Sequence, residues 1–291
     1  WIALTNPTAS EIIDIADAYQ IDPDHLKAPL DEEERSRIEV EDDYTLVLVD
    51  IPSIEERSGK DWFVTIPLAI ITTNEVLITV FLEETPVLPS FMDGRGRYFH
   101  TFMKTRIILQ ILYKNATQYL QYLRIIDKKS EVIERKLHQS QKNEELIELL
   151  ELEKSLVYFT TSLRSNEVVL EKLLRTEKIK KYPEDTDLLE DVIVENKQAI
   201  EMANIYSGIL SGTMDAFASV ISNNLNIVMK FLATVTIVMS IPTMVASFYG
   251  MNVNSRGMPF ATHPYGFVIV LGFALALSLL VAYIFNKKDL F

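Results

Sequence analysis

The stretches FLATVTIVMSIPTMVASFYGMNVNS (residues 231–255) and GMPFATHPYGFVIVLGFALALSLLVAYIFN (residues 257–286) contain no Asp, Glu, Lys or Arg, and Arg256 alone separates them. An uncharged apolar run of about eighteen residues is long enough to cross the roughly 30 Å hydrocarbon layer as a helix. Two such runs in succession predict a membrane protein. Tyr249-Gly250-Met251-Asn252 follows the first run directly, and the loop after it, about fourteen residues long, is too short to be a domain. The spans, expected over about 229–249 and 266–286, therefore form a hairpin with both ends on one side of the bilayer.

Charge divides the chain at the same place. Of its 41 acidic residues only Asp289 follows Asp215, so residues 1–215 hold 40 acidic against 24 basic side chains, about −16, and the remainder about +3. Lys230 opens the first span while Lys287 and Lys288 close the second. Basic flanks gathered on one side mark the cytoplasmic face. The expectation is a multi-pass protein of the cytoplasmic membrane with both termini in the cytoplasm. The chain has no cysteine, which excludes disulfides and thiolate metal sites and fits a reducing compartment. The start, Trp1-Ile2-Ala3-Leu4, lacks the basic and apolar regions of a signal peptide.

The fold class expected is an α+β cytoplasmic part, a small α/β sheet domain plus long helices, followed by the two-helix membrane hairpin. Residues 1–88 form the α/β domain, 89–215 a helical arm and stalk, and 216–291 the hairpin. Pro7 to Tyr19 predicts an amphipathic helix with Thr8 and Glu11 spaced as a capping box. Three strands are predicted, Tyr44–Ile51, Phe63–Ile71 and Val76–Phe81, from their β-branched and aromatic content. The charged segment Asp31–Asp43 is expected to form a solvated helix and turn. From Pro89 to about Lys181, leucines recur at three- and four-residue spacing, and the polar cluster His138–Asn143 is expected to break this region into two antiparallel helices. A third helix, starting near Asp187, meets no proline before Pro242. It can run for about 55 residues, roughly 80 Å, straight into the membrane.

Within the first span, Asn226, Met229, Ala233, Thr236, Ser240, Thr243 and Ser247 collect on one face, most of them small or polar. Such residues mediate helix packing more often than they line pores. Asn226 and Asn252 at opposite ends favour a pore, because several copies around an axis would make rings of neutral amide oxygens. Met229 and Leu232, one turn apart, supply a hydrophobic constriction that closes by dewetting. The second span is apolar on all faces and is expected to face lipid. One hairpin cannot enclose a water-filled path, so a pore requires a homo-oligomer.

Tyr249-Gly250-Met251-Asn252 after a proline-containing span, then a short loop, a second span and terminal lysines, resembles the CorA family of magnesium channels. Gly-Met-Asn, placed 39 residues from the C-terminus, is the specific element, and in architecture the resemblance covers the whole chain. It implies a funnel-shaped homopentamer in which the stalk helices surround a central pore for hydrated Mg²⁺, with Co²⁺ or Ni²⁺ as further ions. It implies that Gly250, Met251 and Asn252 form the outer selectivity filter, and that Asn226, Met229, Leu232, Ser240 and Thr243 line the pore; Thr236 and Ser247 join them as pore-lining candidates from the one-face pattern. It also implies that cytoplasmic Mg²⁺ closes the channel. Leu189-Glu190-Asp191-Val192 lies where relatives place a metal-binding aspartate, which makes Asp191 the candidate ligand; Asp22, Asp24, Asp31 and Asp127 are its candidate partners, because Lys27-Ala28-Pro29 stands where relatives carry Leu-Glu-Asp. The outer loop departs too: Met258-Pro259-Phe260-Ala261 lacks the usual acidic residue.

Mg²⁺ sheds water reluctantly and prefers octahedral oxygen, so amide oxygens can hold it through its hydration shell without trapping it. The expected ligands and partners are thus Mg²⁺, both transported and regulatory, membrane lipid and further copies of the chain. No enzyme is indicated. His25, His100, His138 and His263 are scattered, and no phosphate loop or His-Glu-x-x-His run is present. The acidic soluble part argues against nucleic acid. A Zn²⁺ or proton-coupled transporter of the same superfamily and a membrane-anchored, non-conducting sensor remain open alternatives.

Overall fold

The computed structural model describes residues 1–57, 59–92, 102–140, 143–176, 182–254 and 257–288. It divides into two compact units, Trp1–Met214 and Asp215–Phe291.

The first unit is built on a five-stranded mixed sheet: β1 (Ile2–Thr5), β2 (Arg37–Val40), β3 (Tyr44–Arg57), β4 (Lys60–Thr73) and β5 (Leu77–Phe81), in the order β1-β5-β4-β3-β2. β1 runs parallel to β5 at one edge, and every other pairing is antiparallel. β3 and β4, 14 residues each, pair along their whole length from Tyr44↔Thr73 to Arg57↔Lys60. Gly59, with φ 75°, makes the turn in the left-handed region that only glycine enters without strain.

Both faces of the sheet are covered, which explains why β3 is a continuous apolar run rather than an alternating one. Val47, Val49 and Ile51 point to one face, where they join Ile66, Leu68 and Ile70 of β4 and residues of three long helices. Leu46 and Leu48 point to the other and meet Ile12, Ala16 and Leu26 from α1 (Ala9–Tyr19) and α2 (Pro23–Lys27). Leu46, Val47, Leu48 and Val49 are completely buried. Truncating either leucine to alanine costs about 2–5 kcal/mol. The capping box of α1 forms as its residues predict: the Thr8 hydroxyl accepts the Glu11 N–H, and the Glu11 carboxylate accepts the Thr8 N–H at 2.7 Å.

A single helical turn, α3, spans Pro89–Met92, and the long helices are α4 (Lys104–Ser140), α5 (Asn143–Arg175) and α6 (Pro183–Tyr249). Of the break expected around His138–Asn143, residues 141 and 142 lie outside the described residues, as do Lys180, Arg256 and Asp289. Ile107, Ile108, Ile111 and Leu112 of α4, Val169, Leu170 and Leu173 of α5, and Leu189 and Val192 of α6 share one core with the sheet. The composition change at 88/89 therefore marks a change of secondary structure and not a boundary between cores. Arg106 fastens α4 to the start of α6, donating to the buried Asp185 at 2.9 Å and to Glu184 at 3.1 Å.

The backbone of Asp50 inside this core is matched by side chains. β2 stops at Arg37, opposite Leu48, so β3 loses its neighbour before Asp50. Asn166 of α5 takes the vacant position: its Oδ1 accepts the Asp50 N–H at 2.8 Å, and its Nδ2 donates to the Asp50 carbonyl at 2.7 Å. Asn115 and Tyr119 of α4 donate to the same carbonyl at 2.9 and 3.2 Å. A buried backbone group left unpaired costs about 1–3 kcal/mol, so these side chains do the work of a missing strand.

Three expectations are corrected. The sheet has five strands rather than three, because β1 and β2 are four-residue edge strands whose period is too short to register. The Asp31–Asp43 segment contains β2 in place of a helix. The last long helix begins at Pro183 instead of near Asp187, with proline in the first-turn position that tolerates its missing N–H.

In the second unit, α6 continues to Tyr249 with Pro242 inside it, and α7 spans Gly266–Lys287. Both are long and apolar enough to cross a membrane, and only 6% and 11% of their most apolar windows are buried. A soluble core helix would bury most of that surface; here the apolar side chains need a non-aqueous solvent.

Candidate functional site

The candidate residues of the first span share one face. At 100° per residue, Met229, Leu232, Thr236, Ser240, Thr243, Ser247 and Asn226 fall within an arc of roughly 120°. All of them are exposed. Thr236, Ser240, Thr243 and Ser247 line one concave strip of α6 together with Val235, Met239, Met244 and Phe248.

Three of the hydroxyls on this strip are turned inward. Thr236 Oγ1 donates to the Leu232 carbonyl at 2.7 Å, Ser240 Oγ to the Ile237 carbonyl at 2.7 Å, and Thr243 Oγ1 to the Met239 carbonyl at 3.3 Å. With its proton spent on the helix, each hydroxyl offers lone pairs outward. The strip is therefore a row of acceptors. Such a row suits a cation or the hydrogens of its water shell and repels an anion.

α7 covers a different face of α6. Pro242, Val245, Ala246 and Tyr249 line a cavity together with Gly266, Val270, Leu271 and Ala274. Gly266, Ala274 and Ser278 are the buried small positions of α7, and Ser278 donates back to the Ala274 carbonyl at 2.9 Å. Small residues at such a contact let helices approach closely. Of the residues expected opposite the strip, Val238, Ile241 and Val245 are half-buried, whereas Phe231 and Ile237 are exposed.

Gly250, Met251 and Asn252 follow the last turn of α6. The Gly250 N–H donates to the carbonyls of Ala246 at 2.9 Å and Ser247 at 3.2 Å, closing the helix, and the next N–H in the ladder, from Met251, reaches Phe248 at 3.4 Å. A Cβ at Gly250 would meet the Ala246 carbonyl at 3.4 Å, an ordinary contact. Nothing within one chain thus requires glycine there. Met251 and Asn252 are exposed.

Pro259 and Phe260 fold back onto this corner. Tyr249 Oη donates to the Pro259 carbonyl at 2.7 Å. Phe260, at φ 61°, turns the chain back so that its carbonyl accepts the His263 N–H at 3.1 Å. That carbonyl lies 2.2 Å from where a Cβ of Gly266 would stand, so the first residue of α7 has to be glycine. Sequence named Tyr249 only as part of the motif and Phe260 only for the missing acidic residue, with no structural role for either, and did not name Gly266; the one signal for it was a glycine at the start of an apolar run.

The acidic candidates are separate. Asp191 is exposed on α6 and Asp127 half-buried on α4. Burial first, then the nearby Glu131 carboxylate, raises the Asp127 pKa. Asp22 and Asp24 are engaged locally, the first capping α2 by accepting the Asp24 N–H at 2.9 Å and the second pairing with Lys27 at 3.4 Å. Asp31 accepts the Glu33 N–H at 3.0 Å. Among the described residues, the side chains that converge as metal ligands are His25, Glu39 and Glu41, with neither Asp191 nor Asp127.

With this geometry in hand, likeness to known proteins is informative. A family model described as CorA-like Mg²⁺ transporter protein matches residues 1–288. The chain belongs to this CorA-like family. The Cobalt/magnesium transport protein CorA of Methanocaldococcus jannaschii is 28% identical over 297 residues, covering 99% of this chain and 90% of the relative. That of Thermotoga maritima is 23% identical, covering 99% of this chain and 82% of the relative. The complete structure of the CorA magnesium transporter from M. jannaschii superposes with a TM-score of 0.85 at 27% identity, covering 98% of this chain and 89% of that one. The fold is thus that of a CorA protein: a soluble α/β part with long helices and two C-terminal apolar helices.

Proposed function

We propose that this CorA-family chain transports divalent cations, moving hydrated Mg²⁺, with Co²⁺ or Ni²⁺ as further substrates, across the cytoplasmic membrane through the axis of a homopentamer. The observation that carries this reading is the acceptor strip of α6. It is a polar face on an otherwise apolar helix, left open on the side that α7 does not cover. Copies of α6 placed around an axis would turn that strip into the wall of a water-filled path. Gly250, Met251 and Asn252 form its outer filter, where the Asn252 amide oxygens and the Gly250 carbonyls receive the ion with its water shell. Met229 and Leu232 form the constriction at the cytoplasmic end. Asp191, with Asp127 as a second ligand, holds regulatory Mg²⁺ between neighbouring subunits and favours the closed state. Both termini lie in the cytoplasm, and the reading requires no enzymatic step.

Two features of the chain fit this scheme. The span contains no carboxylate between Asp215 and Asp289, so a dehydrated cation has no fixed site in which to stall. α6 is one helix of 67 residues that begins in the soluble unit and ends at the filter, so ion binding near Asp191 acts on the same element that carries Met229. The test is flux of Mg²⁺, Co²⁺, Ni²⁺ and Zn²⁺ into liposomes holding the purified protein, with and without a proton gradient. Gradient-independent Mg²⁺ flux is expected. Zn²⁺ flux that requires the gradient would replace this reading with a proton-coupled one, and no flux of any ion would leave a membrane-anchored sensor.

A further inference from the structure

We infer that His25, Glu39 and Glu41 form a binding site for a transition-metal dication of the Co²⁺, Ni²⁺ and Zn²⁺ class on the soluble unit. The site stands apart from the transport reading: its residues belong to α2 and to the edge of the sheet, and none is in the proposed filter or pore.

The three donor atoms lie within 4.8 Å of one another, close enough for one ion to touch all of them after small side-chain movements. Glu39 is in β2 and Glu41 is two residues on, so both carboxylates leave the same face of the edge strand. That face is the one α2 covers, which brings His25 over them. The imidazole is held from behind. The hydroxyl of Tyr44, a buried residue, lies 2.8 Å from His25 Nδ1 and accepts the Asp22 N–H at 3.2 Å, while Nε2 faces Glu39 Oε2 at 3.3 Å. A partner on the far ring nitrogen that orients the near one is the usual second layer of a histidine metal ligand.

The charges favour a cation here. Among the described residues, Arg37 is the cation paired with this group; it bridges Glu34 and Glu39, taking the Oε1 of Glu39 and leaving Oε2 turned to the imidazole. The guanidinium is thus divided between Glu34 and Glu39, and the Glu41 carboxylate adds a further negative charge beside them. The surplus negative charge sits where the imidazole nitrogen points. The donor set also selects the ion: Mg²⁺ takes oxygen ligands in octahedral geometry, whereas one imidazole with two carboxylates suits Co²⁺, Ni²⁺ or Zn²⁺, with water completing the coordination. A bound ion would tie α2 to an edge strand only four residues long.

The experiment is equilibrium binding of Co²⁺ to the full-length protein in detergent, read by metal content and by the visible absorption of bound Co²⁺, in the presence of millimolar Mg²⁺. One Co²⁺ per subunit is expected to resist Mg²⁺ and to disappear in His25→Ala with loss of its absorption bands. Glu41→Gln, at an exposed position that the fold does not need, should weaken it about tenfold or more. Asn252→Ala and Asp191→Ala should retain it, which separates this site from the proposed filter and regulatory ligands. Unchanged Co²⁺ content and spectrum in both His25→Ala and Glu41→Gln, or displacement of the ion by Mg²⁺, would overturn the assignment and leave an ion pair only.

Discussion

Tyr249 and Pro259 are joined by a 2.7 Å hydrogen bond from the tyrosine hydroxyl to the proline carbonyl, so the residue immediately before the proposed filter is tied to the far side of its own loop. Gly250, Met251 and Asn252 leave the helix at a corner fixed from two directions. Tyr249→Phe keeps the ring and removes the tie, worth about 0.5–1.5 kcal/mol. Ion uptake should fall severalfold while the oligomer elutes unchanged. Faster proteolysis of the 250–265 loop would report the loosening; unchanged uptake and cleavage would mean that the corner holds without it.

Asn252→Ala and Gly250→Ala should each abolish most Mg²⁺ uptake without altering assembly. A methyl group at Gly250 fits within the chain, 3.4 Å from the Ala246 carbonyl, so any loss of flux comes from crowding among filters and not from misfolding. Flux alongside size-exclusion chromatography checks this. Normal flux through an intact Asn252→Ala oligomer would remove these residues from the filter.

Met229 and Leu232 are a little over half exposed, at 57% and 52%, apolar surface that pays off only if neighbouring subunits bring it together. Replacing both by serine should wet the constriction and raise the resting leak by about tenfold or more, since each tenfold corresponds to about 1.4 kcal/mol off the barrier. An unchanged resting leak places the gate elsewhere on α6.

Asp191→Ala should blunt the protection of α6 from protease as Mg²⁺ is raised through the millimolar range. Binding to one state stabilises that state by mass action. Superimposable titrations of the two proteins would remove Asp191 from the regulatory site.

Asp50 predicts a pH dependence of the soluble unit. Burial between sheet and helices pushes its carboxyl up to about 6 from an ordinary value of 3.8, against the opposing hydrogen bonds of Ser162 and Ser36. The folded state then holds its proton more tightly than the unfolded chain, so this group favours folding fully below pH 3.8 and loses that advantage as pH rises to about 6. The difference is on the order of 1–3 kcal/mol. Thermal melts of the wild type and Asp50→Asn between pH 4 and 7 should converge at the acid end and separate toward neutrality, with the variant more stable there. Parallel curves would show that the carboxyl titrates normally.

The two C-terminal apolar helices were legible because their signal is compositional: two uncharged runs mark both helices and their order without any tertiary knowledge. The capping box at Thr8 and Glu11 was legible for the same local reason. β2 was not, since Arg-Ile-Glu-Val carries no period longer than itself and becomes a strand only because β3 offers a free edge at Thr45–Leu48. The convergence of His25 with Glu39 and Glu41 was hidden in the same way, being created by α2 folding across that strand. Sequence placed the polar strip of α6 on one face but said nothing of where its hydroxyl protons go, which depends on rotamers that the helix backbone selects.

Those inward-turned hydroxyls bear on how the protein is made. Thr236, Ser240 and Thr243 each give their proton to a carbonyl of their own helix, so a newly synthesised hairpin carries no unsatisfied hydroxyl donor at these three positions when it first meets lipid. If the proposed homopentamer forms, a subunit can leave the insertion machinery alone and diffuse in the bilayer before it meets its neighbours. Assembly would then follow insertion as a separate event, wetting a surface that had been tolerable in oil.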